Sequence, residues 1–131
     1  MITEQLQHIL QTEGYLSIID EDGDIAFKAQ GRNLCASVSD DDPDYVRIFL
    51  DLLIDRDDTS KRDIFEAANK AECRFKCVKC MLLHQNDDGV LIRIAIESFT
   101  DIETLERNIN RCIDIVCSAT WIIAQTLQND D

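Results

Sequence analysis

The last quarter of the sequence constrains the fold most. Thr100-Asp101-Ile102-Glu103 has the form of a capping box, in which a hydroxyl and a carboxylate satisfy the free N–H groups of a helix start. Behind it Leu105, Ile109, Cys112, Val116, Ile123 and Leu127 recur at helical spacing, predicting a long amphipathic helix. A second stripe runs beside the first through Ile113, Cys117, Trp121 and Ala124. Together they make an apolar arc wider than contact with one sheet requires. Two arrangements satisfy it: deep burial within the chain, or a second subunit covering part of it. In the second arrangement Ile113, Cys117 and Trp121 lie at or near a subunit or client surface.

The remaining chain supplies what that helix packs on. Ile2, Leu6, Ile9 and Leu10 form the inner stripe of a first helix, with Thr3 as its cap and Gly14 as its stop. "YLSIIDEDGDIAFKAQ" reads as two strands joined at Asp22-Gly23, a pair suited to a hairpin turn. "NLCASVS" extends the second strand after an interruption at Gly31, and "YVRIFLDLLI" is a further strand. A short helix starts at Thr59 or Ser60 and turns Ile64, Phe65 and Ala68 inward. "FKCVKCMLLHQ" and "VLIRIAIESF" follow as a hairpin around Asp88-Gly89, the second alternating Val90, Ile92, Ile94 and Ile96 against Leu91, Arg93, Ala95 and Glu97. This order predicts an α+β fold, one antiparallel sheet packed by helices.

Bulk properties bound the function. The chain has 131 residues and one proline, so residues 1–131 are expected to form a single domain. At 45% hydrophobic it can bury a core. Twenty-six acids against thirteen bases give a net charge of −13, which repels nucleic acid and anionic lipid. The acids cluster in runs such as Asp20-Glu21-Asp22-Gly23-Asp24, Asp40-Asp41-Asp42-Pro43-Asp44, Asp55-Arg56-Asp57-Asp58 and Asn86-Asp87-Asp88-Gly89, expected in solvated loops. "MITEQLQHILQTEG" has no basic segment followed by a long apolar run, and no stretch has membrane-span length. The expected location is the cytoplasm, where six cysteines stay reduced.

"CRFKCVKC" places Cys73, Cys77 and Cys80 at C-x3-C-x2-C, with His84 four residues on. The spacing is that of the cluster loop in radical S-adenosylmethionine enzymes. Lys79 stands where those enzymes have an aromatic, however, and 131 residues are too few for their barrel. Zinc is the next reading, since three thiolates and an imidazole are a fitting ligand set. Alternation opposes it: in a strand from Lys76 to Gln85, Cys77 and Cys80 point to opposite faces. A thiol-redox pair needs C-x-x-C at a helix N-terminus, and this one lies in an apolar β-pattern. Buried thiols acting as small hydrophobes fit Cys35, Cys112 and Cys117 equally well.

Other chemistry finds less support. Placing Gly23 at the sixth position of an EF-hand loop puts Ile18 first and Ala29 last, where carboxylates are required. His8 and His84 are the only histidines, without a triad around them. Four glycines form no phosphate-binding loop. The expectation is a chain that is not an enzyme and carries no cofactor.

The stretch from Asp41 to Phe99 is similar to the YbjN family, which has the type III secretion chaperone-like fold. The likeness rests on an Asp42-Pro43-Asp44 entry into an aromatic-rich strand and a short helix ending in Ala67-Ala68-Asn69. A lysine-spaced Lys76-Cys77-Val78-Lys79 strand and a closing Glu97-Ser98-Phe99 before a long helix complete it. The resemblance implies an α-β-β-β-α-β-β-α sandwich in a small acidic cytosolic protein without enzymatic activity. Relatives of this fold are usually homodimers, and the secretion chaperones hold an extended client segment against sheet and helices. The YbjN branch is described as a candidate regulator of sensory transduction or stress responses. A protein client is therefore the expected partner, and Arg74, Lys76 and Lys79 form a cationic cluster suited to a client carboxylate. The cysteine density departs from the family pattern. That departure leaves open an alternative, a small zinc-binding or thiol-redox protein using Cys73, Cys77, Cys80 and His84.

Overall fold

The computed structural model describes residues 2–55, 60–85 and 89–128, with the side chains of His84 and Gln85 outside that description. The elements are α1 (Ile2–Thr12), β1 (Ser17–Ile19), β2 (Ile25–Ala29), β3 (Arg32–Ser39), β4 (Asp42–Asp55), α2 (Lys61–Arg74), β5 (Val78–Gln85), β6 (Gly89–Phe99) and α3 (Ile102–Gln128). The six strands form one antiparallel sheet in the order β1-β2-β3-β4-β6-β5. The expected α+β class, an antiparallel sheet packed by helices, is what the chain adopts. Four strands precede α2, however, rather than three.

The extra strand comes from a two-residue turn. Gln30 and Gly31 both take positive φ, 53° and 75°, the geometry whose twist matches a tight hairpin. The chain reverses there, pairing Ala29 with Arg32 and Ala26 with Cys35. "NLCASVS" thus lies beside β2 instead of prolonging it. The expected Asp22-Gly23 turn holds: Gly23 has φ 82°, and the Asp20 carboxylate accepts from the N–H groups of Asp22 and Asp24 at 2.9 and 3.0 Å. Of the second acidic run, Asp40 and Asp41 turn the chain while Asp42 to Asp44 already belong to β4. Asp88 of the last expected turn, and Arg56 to Asp58, fall outside the described residues.

Helix ends are set by local hydrogen bonds. Ser60 caps α2, its hydroxyl accepting from Asp63 N–H at 3.2 Å. For α3 the cap is Asp101 rather than Thr100: its carboxylate accepts from Thr104 N–H at 2.7 Å, satisfying one of the free donors. Thr3 lies inside α1, and Ile2 N–H donates instead to Asp40 Oδ1 at 3.2 Å. On α2 the buried arc is Ile64, Ala67, Ala68 and Ala71. Phe65 falls one step outside it, 47% exposed, with the Lys61 ammonium over its ring.

All three helices cover one face of the sheet. The inward row of each strand meets them: Ile25 and Phe27, Leu34 and Ala36, Val46, Ile48 and Leu50, then Val90, Ile92, Ile94 and Ile96. From α3 come Leu105, Ile109, Ile113, Val116, Cys117 and Ile123, all buried. Both stripes of α3 are thus satisfied within the chain, because α1 and α2 flank the helix where it crosses the sheet. Trp121 alone among the large residues of those stripes stays outside, 56% exposed.

An Ile113→Ala variant removes a fully buried side chain from this seam and is expected to cost about 2–5 kcal/mol in urea unfolding. Phe65→Ser, on the exposed side of α2, is expected to change stability by no more than about 0.5 kcal/mol.

Candidate functional site

Among the described residues no helix lies on the opposite face of the sheet. Strand registers align one row across it: Ile18, Ala26, Cys35, Phe49, Ala95 and Lys79. Phe49 and Ala95 are buried without a second layer; over the Phe49 ring lies Arg93, its guanidinium 3.9 Å from the centroid. That guanidinium also grips Asp51 with two hydrogen bonds, of 2.8 and 3.0 Å, a fork geometry that holds it flat. Beside the row, Leu16, Ile18, Ala26, Cys35, Phe49 and Asp51 border an open basin of ≈ 950 Å³.

Toward one end of the uncovered face, Glu97 sits between two cations. Its carboxylate is 2.9 Å from Arg47 Nε, as an ion pair rather than an aligned hydrogen bond, and 3.5 Å from Lys79 Nζ. Burial pushes the Glu97 carboxyl up, but the Tyr45 hydroxyl and the two cations outweigh it and leave it below the usual range. At the margins stand Leu53, 72% exposed, and Phe99, 77% exposed and packed against Tyr45 at 5.5 Å.

A second concavity lies on the helix face, between the first half of α3 and the β4–β6 pair. It has a volume of ≈ 310 Å³. Its floor is apolar, with Val46, Ile48, Ile96, Leu105 and Ile115, while Lys76 and Arg111 stand at the rim.

The candidate residues read from the sequence do not gather at one place. Ile113 and Cys117 are interior, Cys117 with its thiol 3.9 Å from the Ala29 carbonyl, so neither is available to a second subunit. Arg74 lies over Phe75 at the end of α2, Lys76 borders the helix-side concavity, and Lys79 pairs with Glu97 on the uncovered face. The cationic cluster is therefore split among three surroundings.

The cysteine motif is dispersed likewise. Cys73 is exposed on the last turn of α2, and Cys77 is exposed in the connection with φ 66°. Only Cys80 belongs to β5, which begins at Val78, so the alternation expected for Cys77 does not apply. Burial first, then the adjacent Glu72 carboxylate, pushes the Cys80 thiol up to about 12. Among the described residues no three His, Cys, Asp or Glu side chains converge as metal ligands. The His84 backbone pairs with Leu91 after a register shift beyond Leu82, and its side chain lies outside the described residues.

Sequence reasoning missed the Arg93–Phe49–Asp51 stack and the Glu97 pair of cations. Both join residues more than forty positions apart or on different strands, and only the register brings them together.

No protein-family model matches the sequence, and no curated protein matches it. Solved structures do. The chain is similar to an uncharacterized protein from Methanothermobacter thermautotrophicus at 15% identity, over 97% of this chain and 99% of that one, with a TM-score of 0.61. It is also similar to the E. coli protein described as "YbjN, a putative transcription regulator", at 9% identity, over 91% of this chain and 89% of that one, with a TM-score of 0.71. The likeness to YbjN that the sequence suggests is therefore a likeness of fold. Among the described residues no helix is long and apolar enough to cross a membrane.

Two measurements follow from this chemistry. Brief iodoacetamide treatment at pH 8, read by peptide mass, is expected to label Cys73 and Cys77 well before Cys80 and Cys117, whose thiols burial keeps protonated. Glu97, with a folded pKa below 4.5, contributes stability above that value and loses it as pH falls through the lower folded value. Glu97→Gln is expected to flatten that acid limb of the urea midpoint against pH.

Proposed function

We propose that this chain is a non-enzymatic protein-binding or regulatory module, acting as a homodimer that holds an extended segment of a client protein. The uncovered face of the six-stranded sheet carries this reading. It presents a mostly apolar row interrupted by charge, a basin and the exposed side chains Ile18, Leu53 and Phe99. An extended segment matches such a face, since its alternate side chains seat along the row. The fixed charges beside the row, Arg93–Asp51 and Arg47–Glu97–Lys79, set register and select against wrong partners.

Trp121 supports the dimer. An exposed tryptophan on a helix with both stripes already filled is a typical anchor of a protein interface. It stands on the helix layer, away from the uncovered sheet face, so the dimer and the client use separate surfaces. YbjN's description as a regulator fits a module that works by association.

Native mass spectrometry of reduced protein is expected to give a species at twice the 15.0 kDa chain mass. Trp121→Asp is expected to shift it to monomer with the circular dichroism spectrum kept, whereas a Leu53→Asp Phe99→Asp variant stays dimeric. In pull-downs from its own cells, the wild type retains a defined client that this double variant loses. A monomeric wild type, or a dimer unmoved by Trp121→Asp, overturns the assembly. Equal retention by the double variant overturns the client surface.

A further inference from the structure

The helix-side concavity is separate from the surfaces used by the proposed dimer and client. Its floor is aliphatic: Val46, Ile48 and Ile96 from the sheet, Leu105 and Ile115 from α3, with the half-buried thiol of Cys112 among them. Burial pushes that thiol up, so Cys112 behaves as part of an apolar lining. At ≈ 310 Å³ the space holds about ten groups of water size, at roughly 30 Å³ each.

The rim has the opposite character. Lys76 and Arg111 make no ion pair or side-chain hydrogen bond to a described residue, on a chain of net charge −13. Both border this concavity and both are exposed. Glu97 also borders it, but its carboxylate is engaged by Arg47 and Lys79. Asn108 and Thr104 add neutral polar groups to the same edge. An apolar floor with two uncompensated cations at its mouth has a definite complement: one aliphatic chain ending in an anion.

We propose that this concavity is a binding site for a single-chain carboxylate with an aliphatic body of about ten carbons, its chain on the Ile48–Ile96–Ile115 floor and its carboxylate between Lys76 and Arg111. A longer chain outgrows the space, and a cationic head meets repulsion at the rim. The assignment stands or falls independently of the dimer and client surfaces, which share with this concavity only the bordering Glu97, a residue none of the variants below alters.

The test is calorimetric titration of the full chain with decanoate, below its micelle concentration, alongside decanol and decyltrimethylammonium. Decanoate is expected to saturate at one per chain, and decyltrimethylammonium to show no saturable binding. Lys76→Gln Arg111→Gln is expected to weaken decanoate by roughly 2- to 30-fold, the range that two solvent-facing ion pairs span, and to leave decanol unchanged. Ile115→Trp, checked for folding by circular dichroism, fills the floor and abolishes both decanoate and decanol binding. Leu53→Asp Phe99→Asp, on the far side of the sheet, is expected to bind decanoate as the wild type does. Non-saturating uptake, equal loss of decanol in the charge variant, or dependence on Leu53 and Phe99 overturns the proposal. So does occupancy by an uncharged aliphatic peptide when decanoate fails to bind.

Discussion

The structure depends on one seam, where the buried arc of α3 lies across the inward rows of β4 and β6. Ile109, Ile113, Val116 and Ile123 meet Ile48, Leu50, Ile92 and Ile94 in a single continuous core, each side chain contributing about 1.5–3 kcal/mol by leaving water. That contact must accommodate two periods at once, 3.6 on the helix and 2 on each strand. Alternation then decides the rest. Once even-numbered residues of β4 and β6 face the helices, the odd-numbered ones face outward, and α1 and α2 take the remaining places on the same side. A one-layer helical cover leaves a whole sheet face without a helix.

That uncovered face is built to persist in water. A sheet surface with only apolar groups invites nonspecific stacking, and here the row is interrupted by charge. Arg93 serves twice, shielding Phe49 with its flat guanidinium and locking Asp51 across the strand pair. Glu97 performs a related task with Arg47 and Lys79. The result is an apolar surface divided into defined segments. On the helix side, Lys76 and Arg111 border the smaller concavity above an apolar floor.

Much of the fold was legible because its elements follow periodicity. The four buried positions of α1, the alternation of β6 and the length of α3 are all readable as spacing. The errors have specific causes. Gly31 reads as an interruption, since a turn of Gln30 and Gly31 differs from a kink only in the positive φ at both residues. Phe65 is apolar and adjacent to Ile64, but a rotation of 100° per residue puts it past the buried arc. The width of the α3 arc admits a second subunit or the chain's own helices, and no local pattern discriminates between them.

Elements, their faces and the absence of familiar catalytic motifs were determined by the sequence alone, because period, capping and spacing act over a few residues. The sites were decided by tertiary structure. Register joins Arg93 to Asp51 and Glu97 to Arg47, helix packing removes Ile113 and Cys117 from the surface, and the end of α2 sends Cys73, Cys77 and Cys80 into different surroundings. Lys76 and Arg111 border one concavity because α3 crosses the sheet beside the connection into β5. Such meetings are set by how whole elements pack to bury their apolar faces, a free energy summed over the entire core that no single stretch of sequence carries.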